Sequence, residues 1–360
     1  MRTTRTEADA LSQIERVGGR RLALTDDCVT LAHGSGGKAA AALIQAVFIE
    51  AFGAPTPGEL TDAAVLDCPG DRLAYTTDSY VVQPIRFPGA SIGDLAVNGT
   101  VNDLAVSGAQ PRWLSAGFIL EEGLPIDQLR AIAADMRQAA DRAGVAIVTG
   151  DTKVVPRGAA DQVFINTSGI GLIPAGRRLG AGLVCAGDQV ILSGPIAAHG
   201  MAVMIARGNL AISAPIASDS GPVNGLVEAM YAAVDAGAVR WMRDPTRGGL
   251  ATVTNELAHA ARLGLMLDEA AIGVAAEVQG ACDMLGIDPL YVANEGCFVA
   301  VVAPEAAEAA VAALRQAGAT QAGVIGHITA DLPGVVAVRN GFGGTRLVDT
   351  LVSDPLPRIC

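Results

Sequence analysis

Residues 30–39 read Thr30-Leu31-Ala32-His33-Gly34-Ser35-Gly36-Gly37-Lys38-Ala39, and they join a short strand pattern to a helix predicted from about residue 38 to residue 52. A helix that begins directly after glycines presents unpaired backbone N–H groups and the positive end of its dipole to an anion. This stretch therefore predicts mixed α and β structure. It also makes Gly34, Ser35, Gly36, Gly37 and Lys38 candidate phosphate-binding residues.

Known nucleotide motifs fit this loop only in part. It is not a Walker A loop, because Ala32 stands where the first glycine is required and Ala39 follows the lysine. The looser dinucleotide pattern G-x-G-x-x-G/A is satisfied by residues 34–39, but the acid expected after the next strand is missing, since Asp62 precedes its strand. A glycine-rich turn without a ligand stays open as the alternative.

Composition restricts the class of protein. The 360 residues carry a formal net charge of -12, which disfavours nucleic acid and anionic membranes as partners. Residues 1–21 lack the apolar core of a signal peptide, and no apolar run is long enough to span a membrane, so a cytoplasmic protein is expected. The six cysteines form no C-x-x-C pair, and Cys360 is the last residue.

Strand and helix patterns are interleaved irregularly, which favours an α+β fold in two domains over a strict βαβ series. Short strands are predicted at 63–66, 73–76, 112–118 and 146–148, and helices at 92–107 and 126–142. We divide the chain into a leader (1–29), an N-terminal domain (30–175), a C-terminal domain (176–345) and a mobile tail (346–360).

Five aspartates stand beside small residues at predicted strand ends, turns or helices. Each one alone is more often a turn or N-cap residue than a ligand. Together they predict converging oxygen ligands for Mg²⁺ around a nucleotide. They are Asp62, Asp78, Asp103, Asp151 and Asp244.

Two helices carry further candidates. Asp94, Asn98 and Asn102 form a polar stripe on helix 92–107, and this stripe faces either solvent or a site. Thr246-Arg247-Gly248 precedes helix 248–262 and provides a second helix start suited to phosphate, with a structural turn as the alternative.

Transition-metal sites fit poorly. Glu256 and His259 match one half of a di-iron carboxylate motif, which needs a second copy in an all-helical bundle. The other histidines have no zinc-ligand spacing.

The C-terminal segment Asp354-Pro355-Leu356-Pro357-Arg358-Ile359-Cys360 differs from the rest of the chain. Its alternate prolines block helix formation and favour an extended arm. A prenylation box is excluded, because Pro357 stands where the cysteine would be required. A thiol at the end of a mobile arm suggests a covalent carrier.

These motifs together resemble the HypE family of hydrogenase maturation factors, carbamoyl dehydratases of the AIR-synthetase (PurM-like) superfamily. The resemblance covers about residues 30–360 in order, and its most specific motifs are Gly-Asp-Thr-Lys at 150–153 and Pro-Arg-Ile-Cys at 357–360. The other matching segments are 33–37, 77–80, 102–109, 117–123, 243–249 and 294–296.

The resemblance implies a two-domain PurM-like α+β fold, dimeric through the N-terminal sheets, with ATP and Mg²⁺ near the interface. It implies that a HypF-type partner carbamoylates Cys360, that ATP drives dehydration of the adduct to a thiocyanate, and that the cyanide passes to iron on a HypC–HypD-type complex. Glu295 is then the expected general base, and Lys153 the residue that stabilises charge or moves a proton.

Two departures from the family pattern and two rival functions accompany this interpretation. The leader lies outside the resemblance, and Ala198 precedes His199-Gly200 where the family commonly has Asp. The rivals are another PurM-like enzyme, such as a selenophosphate synthetase or thiamine-phosphate kinase, and a non-catalytic thiol carrier.

Overall fold

The computed structural model describes residues 37–43, 64–67, 72–208, 214–351 and 358–360. In its N-terminal half the elements are α1 (Gly37–Leu43), β1 (Ala64–Asp67), β2 (Arg72–Tyr80), β3 (Arg86–Phe87), β4 (Ala90–Ser91), α2 (Ile92–Val106), β5 (Gln110–Glu121), α3 (Ile126–Ala143), β6 (Ala146–Val155) and β7 (Val163–Ile173).

A five-stranded sheet, ordered β1-β2-β7-β5-β6, forms the N-terminal domain. Only the β5–β6 pair is parallel, because α3 connects these two strands. Helix α2 packs on one face of the sheet and against α3. Its residues are buried almost all round, because it is covered on both sides. Gly93 lets the two helices approach closely, since a Cβ there would lie 2.5 Å from the Ile132 carbonyl oxygen.

The two faces of this sheet differ. Alternation along β2 buries Ala74, Thr76 and Tyr80 toward α2, while Tyr75 points to the opposite side. Further large apolar side chains are exposed on β5 at Trp113 and Ile119. We call the side that covers α2 the inner face and the other side the outer face.

The C-terminal half contains β8 (Gln189–Leu192), α4 (Ala198–Ala206), α5 (Asn224–Ala233), β9 (Val239–Arg243), α6 (Gly249–Ala261), β10 (Gly264–Asp268), α7 (Ala276–Leu285), β11 (Val299–Val302), α8 (Ala307–Gln316), β12 (Gly323–Thr329), β13 (Val336–Arg339) and β14 (Thr345–Val348). Its seven-stranded sheet is ordered β14-β13-β10-β12-β8-β11-β9. The fully buried strand β11 lies near one end of the sheet, between β8 and β9.

Local signals placed several helix ends correctly. Ser91 and Asp94 form the predicted capping box of α2, and α3 begins after Pro125 and ends at Gly144 in the left-handed conformation. The prediction that Asp78 and Asp151 stand at strand ends or turns was wrong, because pairing with β7 and β5 extends β2 and β6 past both residues.

Two expectations for the tail also need correction. Residues 346–348, assigned to the tail, belong to β14 and pair with β13. Arg358 has a φ of 58°, a left-handed turn rather than an extended backbone. In the described part of the chain, no helix has the length and apolar character needed to cross a membrane.

Candidate functional site

The end of the chain is docked between the two domains. Ile359 and Cys360 are buried, at 3% and 8% exposure. The Val81 amide, directly after β2, donates to the main-chain oxygen of Cys360 over 3.2 Å. The terminal thiol therefore lies at the end of a strand of the N-terminal sheet.

Arg247 is the direct partner of this thiol. Its Nε donates to Cys360 Sγ over 3.1 Å. Arg247 is positioned by the turn that starts α6, where Gly248 and Gly249 both have positive φ. A Cβ at Gly249 would lie 2.7 Å from the carbonyl oxygen of Val292, so only glycine lets this turn close. The second predicted helix start thus contacts the tail thiol.

Acidic side chains surround the same place. Asp244 and Glu295 are buried, at 3% exposure each, and Asp78 lies on β2 two residues before the buried Tyr80. Burial raises the pKa of Asp78, Asp244 (to about 6) and Glu295, and repulsion from Asp78 adds to the shift at the latter two carboxyls. Loss of hydration and mutual repulsion therefore outweigh the attraction of Arg247 for Glu295.

The docked thiol is protonated at neutral pH. Burial raises the pKa of Cys360 to about 11, with Glu295 and Asp78 adding to the rise and Arg247 opposing it. Since the thiolate is the nucleophile, this position suits an already modified sulfur better than a sulfur that must attack a donor.

Backbone contacts fix Glu295. The carboxylate of Asp219 accepts from the amides of Glu295 and Gly296, and Asn102 Nδ2 donates to the Glu295 carbonyl oxygen over 3.2 Å. Asn98 and Asn102 are buried, and Asn98 Nδ2 donates to Ser220 Oγ over 3.1 Å. The sequence left open whether the polar stripe on α2 faces solvent or a site. Because both asparagines are buried, the solvent-facing alternative is wrong for them.

Asp103 and Thr246 border this cluster. Asp103 accepts from Thr76 Oγ1 over 2.9 Å, on the inner face. Burial raises the pKa of Tyr80, and the charges of Asp78 and Asp103 add to the rise. The Thr246 amide donates to the Asp244 carbonyl oxygen over 3.0 Å. The structure thus brings Asp78, Asp103, Asp244, Thr246, Arg247, Glu295 and Cys360 into one region.

Asp151 and Lys153 lie elsewhere in the chain. They project from the outer face of β6 and form an ion pair of 2.9 Å, with both side chains 71% exposed. Ser79 on β2 pairs with Asn166 on β7, which pairs with Gly117 on β5. Gly117 in turn pairs with Asp151 on β6, so Asp151 lies three strands from Ser79, or about 14 Å away. Asp78 faces the other side of the sheet, so one chain does not bring Lys153 to the Cys360 cluster.

The glycine cluster is described only at its end. Gly34, Ser35, Gly36 and Asp62 lie outside the described residues. Gly37 has a φ of 71° at the start of α1. The Lys38 amide donates to the Leu351 carbonyl oxygen over 3.2 Å, and its Nζ is 3.4 Å from Asp349. Lys38 therefore lies beside residues 349–351 of the tail.

Sequence reasoning missed the residues that hold the tail. His199 and Arg207, in and directly after α4, contact the carbonyl oxygens of Ile359 and Arg358. Asp219, which supports Glu295, was also missed. The only signal was the unusual Ala198-His199-Gly200, whereas the contacts themselves join residues 151 or more positions apart.

The donor set fits Mg²⁺ only with help from other ligands. Carboxylates are the ligands that Mg²⁺ prefers, and the raised pKa values in the Asp78–Asp244–Glu295 cluster indicate a shortage of positive charge there. Among the described residues, however, no three His, Cys, Asp or Glu side chains are arranged to hold a metal ion by themselves. Phosphate oxygens would complete such a site.

Family models match most of the chain. The N-terminal domain of AIR synthase related proteins matches residues 60–173, and their C-terminal domain matches residues 186–339. The fold is therefore the two-domain α+β fold of that class, as expected from the sequence.

Individual relatives identify the family within this class of proteins. The carbamoyl dehydratase HypE of Rhodobacter capsulatus is 51% identical over 346 residues, which cover 94% of this chain and all of that protein. A HypE–HypF complex contains a chain with a TM-score of 0.81 and 42% identity, covering 86% of this chain and all of its own. A HypE structure in complex with ATP has a TM-score of 0.76 and 45% identity, covering 92% and 100%. The chain belongs to the carbamoyl dehydratase HypE family.

Proposed function

We propose that this chain is an ATP-dependent carbamoyl dehydratase of hydrogenase maturation that acts on its own Cys360. The observation that carries the proposal is the burial of Cys360 against Arg247, beside Asp78 and Glu295, in a chain half identical to carbamoyl dehydratases along nearly its whole length. A carrier thiol needs no such acidic pocket, whereas a dehydratase needs groups that move protons.

The reaction balances on the adduct alone. The carbamoyl oxygen of Cys360–S–C(=O)–NH₂ attacks the terminal phosphorus of ATP, and the O–P bond forms as ADP leaves. Loss of phosphate with the carbamoyl oxygen, and of the N–H protons to bases, leaves Cys360–S–C≡N. ATP thus converts a poor leaving oxygen into phosphate, and the product thiocyanate supplies the cyanide ligand of the hydrogenase iron.

Glu295 is the base assigned to an N–H proton. A carboxylate with a raised pKa binds a proton more tightly than an exposed one, which favours transfer from nitrogen. Arg247, which holds the sulfur, balances negative charge that develops on the adduct. Cys360 presents the group to both side chains without a separate binding step.

ATP binding is assigned to the two helix starts and to the aspartates. Gly34, Ser35, Gly36, Gly37, Lys38, Thr246, Arg247 and Gly248 supply N–H groups and positive charge for phosphates. Asp62, Asp78, Asp103 and Asp244 would hold Mg²⁺ together with phosphate oxygens, and the ion would neutralise the triphosphate. The structure of a similar HypE in complex with ATP supports ATP as the bound nucleotide.

A homodimer through the outer face explains Asp151 and Lys153. Trp113, Tyr75 and Ile119 are 47%, 44% and 44% exposed on that face. Large apolar side chains exposed together on one face are typical of a surface that binds a partner. A second copy packed there would bury these side chains. It would also carry Lys153 and Asp151 toward the site of its partner, where Lys153 stabilises charge or moves a proton and Asp151 approaches the phosphates.

The proposed function also implies specific partners. The structure of a HypE–HypF complex supports a HypF-type carbamoyltransferase as the source of the adduct. A HypC–HypD-type complex is the expected acceptor of cyanide, and the cytoplasm is the expected place. The acidic chain is not expected to bind nucleic acid or membranes.

Intact-mass analysis tests the proposal. The protein carbamoylated by a HypF-type enzyme should lose the mass of one water when ATP and Mg²⁺ are added. Cys360→Ser should acquire no adduct, and Glu295→Gln should acquire the adduct and keep it. An adduct that wild type retains with ATP present would support the thiol carrier instead. Full turnover by Cys360→Ala on a free substrate would support another PurM-like enzyme.

A further inference from the structure

The last three residues are held through their main chain. Arg207 Nη2 donates to the Arg358 carbonyl oxygen over 2.6 Å, and His199 Nε2 donates to the Ile359 carbonyl oxygen over 3.0 Å. The Val81 amide donates to the main-chain oxygen of the next residue, Cys360. Three successive main-chain acceptors thus each meet a donor from the body of the protein, which is how a bound peptide is recognised.

His199 is fixed as a donor. Since a carbonyl oxygen only accepts, Nε2 carries the proton, and Nδ1 accepts from Ser218 Oγ over 2.8 Å. Ser218 Oγ in turn accepts from the Ser220 amide over 3.0 Å. The ring also packs edge-on against Phe87, with the ring centroids 5.5 Å apart. Both the orientation and the tautomer of His199 therefore serve the tail contact.

Arg358 adds a contact specific to its side chain. Its guanidinium donates to the Val81 carbonyl oxygen over 3.2 and 3.1 Å and to Gln83 Oε1 over 3.3 Å, and it pairs with Asp161. Arg207 Nε also donates to the Gln83 carbonyl oxygen over 2.8 Å, which ties this end of α4 to the same segment.

The receptor for the tail is anchored on both domains. The Ser218 amide donates to the Pro88 carbonyl oxygen over 2.8 Å. Gly89 lies so close that a Cβ there would be 2.8 Å from the Ser218 nitrogen. The loop that orients His199 is therefore fixed to the β3–β4 hairpin of the N-terminal domain.

We propose that His199 and Arg207 are positioning residues of a built-in receptor for the C-terminal Arg-Ile-Cys peptide. They hold the Cys360 sulfur against Arg247 through the main chain of the tail. The inference rests on the proposed function and goes beyond it, because it names two residues outside the acidic cluster that position the reacting sulfur.

Cysteine alkylation measures this docking directly. The full-length protein is treated with iodoacetamide without ATP or partners, and modification of Cys360 is followed by peptide mass spectrometry relative to the exposed Cys185. His199→Leu and Arg207→Met are each expected to raise the Cys360/Cys185 ratio of rates at least tenfold. His199→Gln, which retains an N–H donor, should give a smaller rise. Arg130→Met, at a 77% exposed arginine on α3, should leave the ratio unchanged.

Two outcomes would overturn the proposal: an unchanged ratio in both variants, or a parallel rise at the buried Cys282 and Cys297, which would indicate general loosening. Tryptic cleavage after Arg358, read as loss of the last two residues by intact mass, provides a second measurement and should accelerate in the same variants. Because neither assay needs ATP or a carbamoyl group, a failed dehydration and a failed docking are distinguishable.

Discussion

The inner and outer faces of the N-terminal sheet give two similar aspartates opposite environments. Asp78 follows two threonines on β2 and lies in the buried cluster around Cys360, where burial raises its pKa. Asp151 precedes a threonine on β6 and forms a solvent-exposed ion pair with Lys153. Strand alternation, and not the local motif, therefore decides that Asp78 lies near the thiol and that Asp151 points away from it.

The strongest test removes the base on the inner side. Glu295→Gln is expected to lower the dehydration rate about 10²- to 10⁴-fold, as loss of a general base does. The same change should raise the melting temperature at pH 7, because a group whose pKa is raised on folding destabilises the native state above its unfolded pKa. Single-turnover mass spectrometry and calorimetry measure both effects. A slow variant that is also less stable would indicate a structural role.

Lys153 tests whether the two faces meet across an interface. Lys153→Ala should slow dehydration roughly 10- to 100-fold by loss of charge stabilisation. Mixing Lys153→Ala subunits with Cys360→Ala subunits should restore about a quarter of the wild-type activity, since half of randomly formed dimers are mixed and each has one intact site. No recovery in mixed dimers would place Lys153 in the site of its own chain or outside catalysis.

Trp113 tests the surface itself. Trp113→Asp places a charge in the centre of the proposed interface and should weaken dimerisation at least about 30-fold, as loss of a tryptophan hot spot does. Sedimentation velocity measures the change. Leu347→Asp is the matched control, because Leu347 is 57% exposed on β14, away from the outer face, and should leave association unchanged. Equal effects of both substitutions would contradict the assignment.

The smallest expected effect concerns pH. The pKa of the Cys360 thiol is raised from 9 to about 11 in the docked state, so docking is favoured fully below pH 9 and weakens as pH rises toward 11. By pH 10 the loss should be about 1.4 kcal/mol, or tenfold in the docking equilibrium. Tryptic cleavage after Arg358 should therefore accelerate between pH 8 and 10 more in wild type than in Cys360→Ser. Equal acceleration in the two proteins would show that the thiol does not control docking.

Much of the fold was predictable from local chemistry. Ser91 with Asp94, Pro125 with Gly144, and the glycines before α6 each determine backbone geometry within one or two turns, and the structure has them where the sequence indicates. Strand lengths were harder to predict from the sequence. Thr77-Asp78-Ser79 has the composition of a turn, but β7 supplies paired hydrogen bonds that extend β2 through it.

The residues of the candidate site also differ in how well the sequence predicts them. The sequence predicted Cys360, Glu295 and Arg247 as site residues, and the structure brings them together. The face on which Asp151 and Lys153 stand depends instead on register, which a single sequence determines poorly. For His199 the sequence offered only the unusual Ala198-His199-Gly200, which does not indicate a contact with the tail. A lone histidine has no ligand spacing, and its role depends on a tail carbonyl 160 positions away.

The location of Cys360 on the same polypeptide as its pocket has a consequence for inhibition. A tethered group competes at millimolar effective concentration, whatever the amount of protein in solution. Dilution should therefore leave the rate of the chemical step unchanged, and small thiocarbamates offered as competitors should fail below that range. A molecule that binds the receptor for the Arg-Ile-Cys peptide must also compete with the tethered peptide. A molecule that binds the tail itself has no such competitor.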